Sequence, residues 1–367
     1  MGTGNHTIYV RARDRAGNWS SYATGTLVVD TDNPVVDSLS ITPSPTQGTT
    51  ATLAATVSDV GTGVVAAEWW VGTASPGTGT PLTVTGGTTI NETIDLSLIG
   101  DRNVTVKVRV QDAAGNWSGT KTTSVDVTPQ LWFSTAGDSN PSPLTNGGSG
   151  DRRDAYFWNG VSHTRELDLS GLTPGNANLD GFQRLGADHY LLSFAPSNVA
   201  LPGGPTVQDE DIVEYDGGAW TVWFDGTAHG LTTGAEDIDA FHVTDVDNQV
   251  FYFSTRGNVR PPNVGGAPGD NADIYRYNGT GNDYSRVWDA TQNGIAGNEN
   301  VDGLVWRGNN DFYVSFDTTT NVPGLGNTPE NDVVHKYGPG ASWVTYFDGS
   351  RHGVSGGARD VDAIDIP

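Results

Sequence analysis

A short phrase recurs four times in the second two-thirds of the chain. It reads Asn178-Leu179-Asp180-Gly181-Phe182, Asp237-Ile238-Asp239-Ala240-Phe241, Asn300-Val301-Asp302-Gly303-Leu304 and Asp360-Val361-Asp362-Ala363-Ile364. The central aspartates stand 59, 63 and 60 residues apart. Repetition at such a period restricts the chain to folds that array one small supersecondary unit. Glycine (49) and proline (19) are abundant, and few stretches carry apolar residues at helical spacing, so each unit reads as strands and turns.

Each unit repeats the same order of strands. After the inner phrase comes a second strand ending in serine: Tyr190 to Ser193, Phe251 to Ser254, Phe312 to Ser315 and, before them all, Leu131 to Ser134. A third strand begins with an acid, Asp154, Asp211, Asp273 or Asp332, and an aromatic-rich fourth closes the unit. Four strands per unit make a propeller blade, with the repeated aromatics packing blade on blade. The unit that starts at Leu131 lacks its inner strand, and Asp360 to Ile366 is an inner strand without a unit. Joining the two predicts four blades and removes an open sheet edge.

The first third repeats differently. His6 to Asp14 alternates like a half-buried strand and turns through Arg15-Ala16-Gly17-Asn18-Trp19-Ser20, and Val104 to Asp112 turns through Ala113-Ala114-Gly115-Asn116-Trp117-Ser118. Asp14 and Asp112 are 98 residues apart, the length of an immunoglobulin-like sandwich. The predicted class is therefore all-β: an Ig-like β-sandwich plus a four-bladed β-propeller closed by the C-terminal strand. The predicted divisions are a partial hairpin at 1–32, a sandwich at 33–128 and a propeller at 129–367. The Asp-x-Ala-Gly-Asn-Trp-Ser endings resemble bacterial Ig-like repeats of large surface proteins, which implies a stalk or spacer. The hairpin then corresponds to the last two strands of a preceding repeat, able to fray, pack, or self-associate with a neighbour's sheet. The Asn-x-Ser sequons at Asn18 and Asn116 belong to the turn motif.

Ile238-Asp239-Ala240-Phe241 and Val361-Asp362-Ala363-Ile364 resemble the start of the inner strand in hemopexin-like four-bladed propellers. That resemblance implies an axial tunnel that binds ions, calcium included, through main-chain carbonyls. Physical chemistry points the same way for the side chains. Four aspartates converging on one axis repel unless they turn into hydrogen bonds or share a cation. The candidate ligands of a structural Ca2+ are thus Asp180, Asp239, Asp302 and Asp362. Each is followed by Gly or Ala, read as making room at a crowded axis. Asp151, Asp154, Asp209, Asp211, Asp270, Asp273, Glu330 and Asp332 fall on the long-loop face, as calcium ligands or as turn caps.

A formal charge of −24 with only three lysines opposes binding to nucleic acid or anionic lipid, and no apolar run is long enough to insert in a membrane. Without cysteine, disulfides and thiolate chemistry are excluded. No nucleophile elbow, zinc-protease helix or phosphate-cradling loop occurs, and an acid identical in all four units is what structural repetition predicts. The expectation is a non-enzymatic extracellular or cell-surface binding and adhesion module, its unknown protein or glycan ligand held on the long-loop face. A carbohydrate-active propeller, glycosidase or lectin, and a structural subunit of a surface filament are the rivals.

Overall fold

The computed structural model describes residues 1–367 apart from Ser139, Gly147, Ala267, Pro268, Asn282, Ala341, Gly357 and Ala358. The fold is all-β, built from antiparallel sheets, and its helical elements among the described residues are two single 3-10 turns, Thr227–His229 and Thr291–Asn293. The chain divides into two units, Met1–Val127 and Thr128–Pro367.

In the first unit a three-stranded sheet (Val35–Thr42, Thr50–Ser58, Thr89–Asp95) and a four-stranded sheet (Thr80–Leu82, Val64–Val71, Arg102–Asp112, Lys121–Val127) share one core. Period-two patterning explains the burial: Ala51, Leu53, Ala55 and Val57 face inward from one sheet, Val104, Val106, Val108 and Val110 from the other. Gly4–Val10 and Ala23–Val29 pair only with each other, antiparallel. In the repeat alignment Ile8, Val10 and Leu27 match Val106, Val108 and Val125. The former are 36%, 62% and 42% exposed and the latter are fully buried, so the hairpin shows to solvent the face that the second copy buries.

The turn motif common to both copies is a hydrogen-bonded lock. Asp112 accepts the Asn116 backbone N–H and Nδ2, each at 2.8 Å, and Asp14 holds Asn18 in the same way. Gly17 (φ 95°) and Gly115 (φ 96°) occupy the left-handed conformation that side-chain-bearing residues avoid. Ser20 and Ser118 accept the N–H of Ala12 and Val110, each at 3.0 Å, which closes the turn.

The second unit contains four four-stranded antiparallel sheets, called I to IV here. Sheet I holds Val361–Asp365, Leu131–Thr135, Ala155–Trp158 and His163–Leu167 in that spatial order. Sheet II runs through Asn178–Gly186, His189–Ala195, Ile212–Asp216 and Ala219–Phe224. Sheet III runs through Ile238–Asp245, Val250–Thr255, Ile274–Asn278 and Asp283–Trp288, and sheet IV through Val301–Gly308, Asp311–Phe316, Val333–Tyr337 and Ser342–Phe347. Val361–Asp365 comes from the far end of the chain and pairs antiparallel with Leu131–Thr135.

Apolar cores lie between neighbouring sheets and close in a cycle. Phe182, Tyr190 and Leu192 of sheet II meet Ala155, Leu167 and Ala363 of sheet I. Ile212 and Phe224 of sheet II meet Phe241, Phe251 and Phe253 of sheet III. Ile274 and Trp288 pack with Leu304, Phe312 and Val314, and Val305, Val333 and Phe347 pack with Phe133, Tyr156 and Ile364. The first strand of each sheet touches the first strands of the sheets on either side. The aromatic residues thus belong to the seams, as in the stacked Tyr252 and Trp306 rings with centroids 4.6 Å apart.

The small residue after each central aspartate relieves crowding along these seams and not at the centre of the ring. A Cβ on Gly181 would lie 2.3 Å from Ser193 Oγ and 2.5 Å from the Phe241 ring of the next sheet. On Gly303 it would lie 2.5 Å from Ser315 Oγ and 3.0 Å from Ile364.

Candidate functional site

Each central aspartate falls at an irregularity of its inner strand. The register with the second strand shifts between Leu179 and Gly181, between Ile238 and Ala240, and between Val301 and Gly303, which leaves Asp180, Asp239 and Asp302 as the extra residue. The pairing of Val361–Asp365 with Leu131–Thr135 shifts at the same place. A β-bulge re-aims a side chain that regular pleating would send to a sheet face. Here it turns the carboxylates toward the ring centre, where Asp180, Asp239, Asp302 and Asp362 are 2%, 5%, 5% and 7% exposed.

The four aspartates line one cavity of about 470 Å³ with Asn178, Asn300, Asp360, Asp317 and Arg256. The structure thus brings all four sequence-predicted ligands together. Serines at the ends of second strands brace the bulges: Ser134 Oγ donates to the Leu179 carbonyl at 2.9 Å and Ser254 Oγ to that of Val301 at 2.8 Å.

The residue two positions before each aspartate alternates around the ring. Asn178 Nδ2 donates to both Asp180 and Asp362, across the seam of sheets II and I. Asn300 Nδ2 donates to both Asp302 and Asp239, across the seam of sheets IV and III. At the two remaining seams the same position is acidic, Asp237 and Asp360. Asp180, Asp237 and Asp239 bring their carboxylate oxygens within 4.8 Å of one another, and all three are buried. Asp180 Oδ2 and Asp237 Oδ1 are buried with no hydrogen-bond partner, as are Asn178 Oδ1, Asn300 Oδ1 and Asp360 Oδ1.

Burial is the main cause of the shifts in this cluster, with neighbouring carboxylates adding to it. Asp239 is pushed up to about 6, Asp360 to about 7, Asp362 to about 8 and Asp237 to about 9. Asp180 and Asp302 are driven well above the usual carboxylate range, by burial first and then by Asp362 and Asp239 in one case and Asp239 and Asp362 in the other. The amide of Asn300 pulls Asp239 back down. Burial lowers the Arg256 guanidinium, but the surrounding carboxylates, Asp239 foremost, outweigh it and hold it above its ordinary value. Arg256 Nη1 stands 3.8 Å from Asp237 Oδ2.

Acceptor oxygens buried without donors are costly, and this set contains no nitrogen or sulfur ligand. An all-oxygen set of this kind is what a hard cation takes, and the carboxylates of Asp180, Asp237 and Asp239 lie close enough together to share one.

The acids of the loop face do different work. Asp211 accepts the N–H of Gly226 and of Gln208, each at 2.9 Å. Asp273 accepts that of Ala290 at 2.9 Å and Asp332 that of Gly349 at 3.0 Å, so these carboxylates tie the end of the fourth strand to the start of the third. Asp154 accepts the Asp151 N–H at 3.1 Å and pairs with Arg165. In the first unit Asp30, Asp59 and Asp112 also cluster within 4.8 Å. Local donors take most of their oxygens, Thr62 for Asp30, Gly61 and Gly63 for Asp59 Oδ2, and Asn116 for Asp112, while Asp59 Oδ1 is buried without a partner.

Sequence reasoning did not single out Asp237, Asp360, Arg256 or Asp317. For the first two the signal was present, because the four phrases begin Asn, Asp, Asn, Asp and carry Gly, Ala, Gly, Ala in step. Arg256 and Asp317 break the repeat. The matching positions in sheets I and II are Ala136 and Ala195, so periodicity conceals them.

No helix among the described residues is long and apolar enough to cross a membrane. No family model matches the chain, and no curated protein matches it. Among solved structures the chain is similar to a tetra-tandem repeat in the extending region of a large adhesion protein, at 16% identity over 95% of this chain and 71% of that one, with a TM-score of 0.24. It is also similar to a chimeric titin Z1Z2 functionalized with a KLER exogenous peptide from decorin, at 10% identity over 71% of this chain and 98% of that one, with a TM-score of 0.19. At such scores the case for function rests on the site.

Proposed function

We propose that residues 33–128 form an Ig-like sandwich and residues 129–367 a four-bladed, hemopexin-like β-propeller, and that together they serve as a non-enzymatic extracellular or cell-surface binding and adhesion module. In this reading the sandwich is a stalk, and the propeller mouth is held together by a bound hard divalent cation, Ca2+ by preference. Four four-stranded sheets with a core in every seam, closed by a strand from the far end of the chain, support the propeller. A protein or glycan ligand would meet the long-loop face, where irregular chain is carried on a rigid frame.

One observation carries the cation. Asp180, Asp239, Asp302 and Asp362 converge on one cavity, Asp180 Oδ2 and the neighbouring Asp237 Oδ1 are buried without a partner, and only Arg152 and Arg256 among the cavity residues are basic. Arg152 is already paired with Asp138. A cation that binds only the folded state at a hundred times its Kd adds about 2.7 kcal/mol. For a unit of this size that raises Tm on the order of 5–10 °C. The test is calorimetric melting in excess chelator and then with CaCl2 or MgCl2 restored. The transition of the second unit should rise with calcium, and an unchanged melt sinks the cation.

The asymmetry contributed by Arg256 and Asp317, inside an open cavity, favours the carbohydrate-active rival. Against a glycosidase stands the repetition of the same aspartate in all four inner strands, Asp180, Asp239, Asp302 and Asp362, because a catalytic acid and its partner carboxylate need unlike surroundings.

A further inference from the structure

We propose that the cation binds off the ring axis, at the seam of sheets II and III, on Asp180, Asp237 and Asp239. This rests on the cation-dependent reading above and departs from it in placement: the ligand that decides the site is Asp237, outside the four repeated aspartates.

The ring has four seams, and each must reconcile two inner-strand carboxylates. Like charges brought this close out of water repel strongly. At the seams of sheets I and II and of sheets III and IV the chain solves this with an amide, Asn178 or Asn300, donating to both neighbours. At the seam of sheets II and III the amide is replaced by a third carboxylate, Asp237, which can donate nothing while ionised. Asp180 Oδ2 and Asp237 Oδ1 remain buried and unpartnered there, on side chains 2% exposed. The group that satisfies three clustered carboxylates must supply positive charge and accept several oxygens, which a hard divalent ion does. Arg256 beside Asp237 completes the balance, since three carboxylates are neutralised by one divalent cation and one guanidinium.

The remaining acidic seam is different. Asp360 has one unpartnered oxygen, Oδ1, but the residue is only half-buried, and Asp302, Asp360 and Asp362 do not form a cluster within 4.8 Å among the described residues. Among the described residues of the second unit the site is therefore single, and the four-sheet ring is broken by its sequence into two amide seams, one cation seam and one further acidic seam.

The chain supplies its own test substitution. Asp237→Asn installs at this seam the residue that works at Asn178 and Asn300, so the fold is expected to persist, as checked by near-ultraviolet circular dichroism. Wild type, Asp237→Asn and Asp360→Asn are titrated with CaCl2 by isothermal calorimetry and melted in chelator and in calcium. The expected result is the same calcium stoichiometry and affinity in wild type and in Asp360→Asn, with one of the bound ions raising the melt of the second unit. For Asp237→Asn the expectation is at least ten-fold weaker binding, with a Tm in chelator equal to or above that of wild type. Asp180→Asn is a second variant that should lose calcium in the same way. Wild-type calcium affinity in Asp237→Asn, or equal losses in Asp237→Asn and Asp360→Asn, overturns the off-axis placement and leaves an axial cation standing. A wild type that takes up no calcium overturns both.

Discussion

A single buried imidazole shows how tightly the seams are packed. His163 is fully buried against Phe133 and Trp158, and its Nε2 lies 2.7 Å from the His352 carbonyl, so this nitrogen carries the proton. Burial lowers its pKa to about 4, outweighing the hydrogen bond to the His352 carbonyl, which favours the protonated ring, while the His352 imidazole adds slightly to the lowering. The unfolded chain takes up this proton near 6.5 and the native chain does not. Stability from this residue is therefore complete above about 6.5 and is lost as pH falls toward 4, by roughly 3 kcal/mol. His163→Gln should melt lower than wild type at pH 7, and the gap should narrow on acidification to pH 4.5. A gap constant with pH would show that the imidazole is not held neutral.

At the scale of the strand, the inner element has two jobs that its sequence separates by residue. The aspartate at the bulge faces the mouth, while the next residue faces the neighbouring sheet. Gly181→Ala should cost about 1–3 kcal/mol by overpacking against Ser193 and Phe241. The cost would appear as a lower Tm for the second unit, and a Tm equal to wild type would refute the seam contact. Strand type, strand order and the serine ending each second strand were legible because they repeat with the aspartates. The reason for the small residues was misread, since one-dimensional periodicity shows that a position is crowded but not by which neighbour. Arg256 was invisible for the opposite reason, because a residue found in one repeat of four looks like variation. Asp237 lay between these cases, visible in the phrase but read as part of it.

For the whole molecule, the second unit depends on closure. Removing residues 360–367 takes the inner strand from sheet I and uncovers the core that Ile364 shares with Phe133, Val305 and Phe347. Calorimetry of the truncated chain should lose the cooperative transition of the second unit while the transition of the first remains. An unaltered second transition would mean that the ring is held without its last strand.

The closing strand also sets a timetable. Ser134 Oγ accepts a hydrogen bond from the N–H of Ala363, which lies 229 positions later in the chain. At ribosomal speeds of about 5–20 residues per second, the edge of Leu131–Thr135 waits on the order of 10–50 s for the partner that covers it. Until then the nascent unit is an open arc whose free strand edge invites foreign strands. Its exposure therefore ends only when the last strand of the chain has been made.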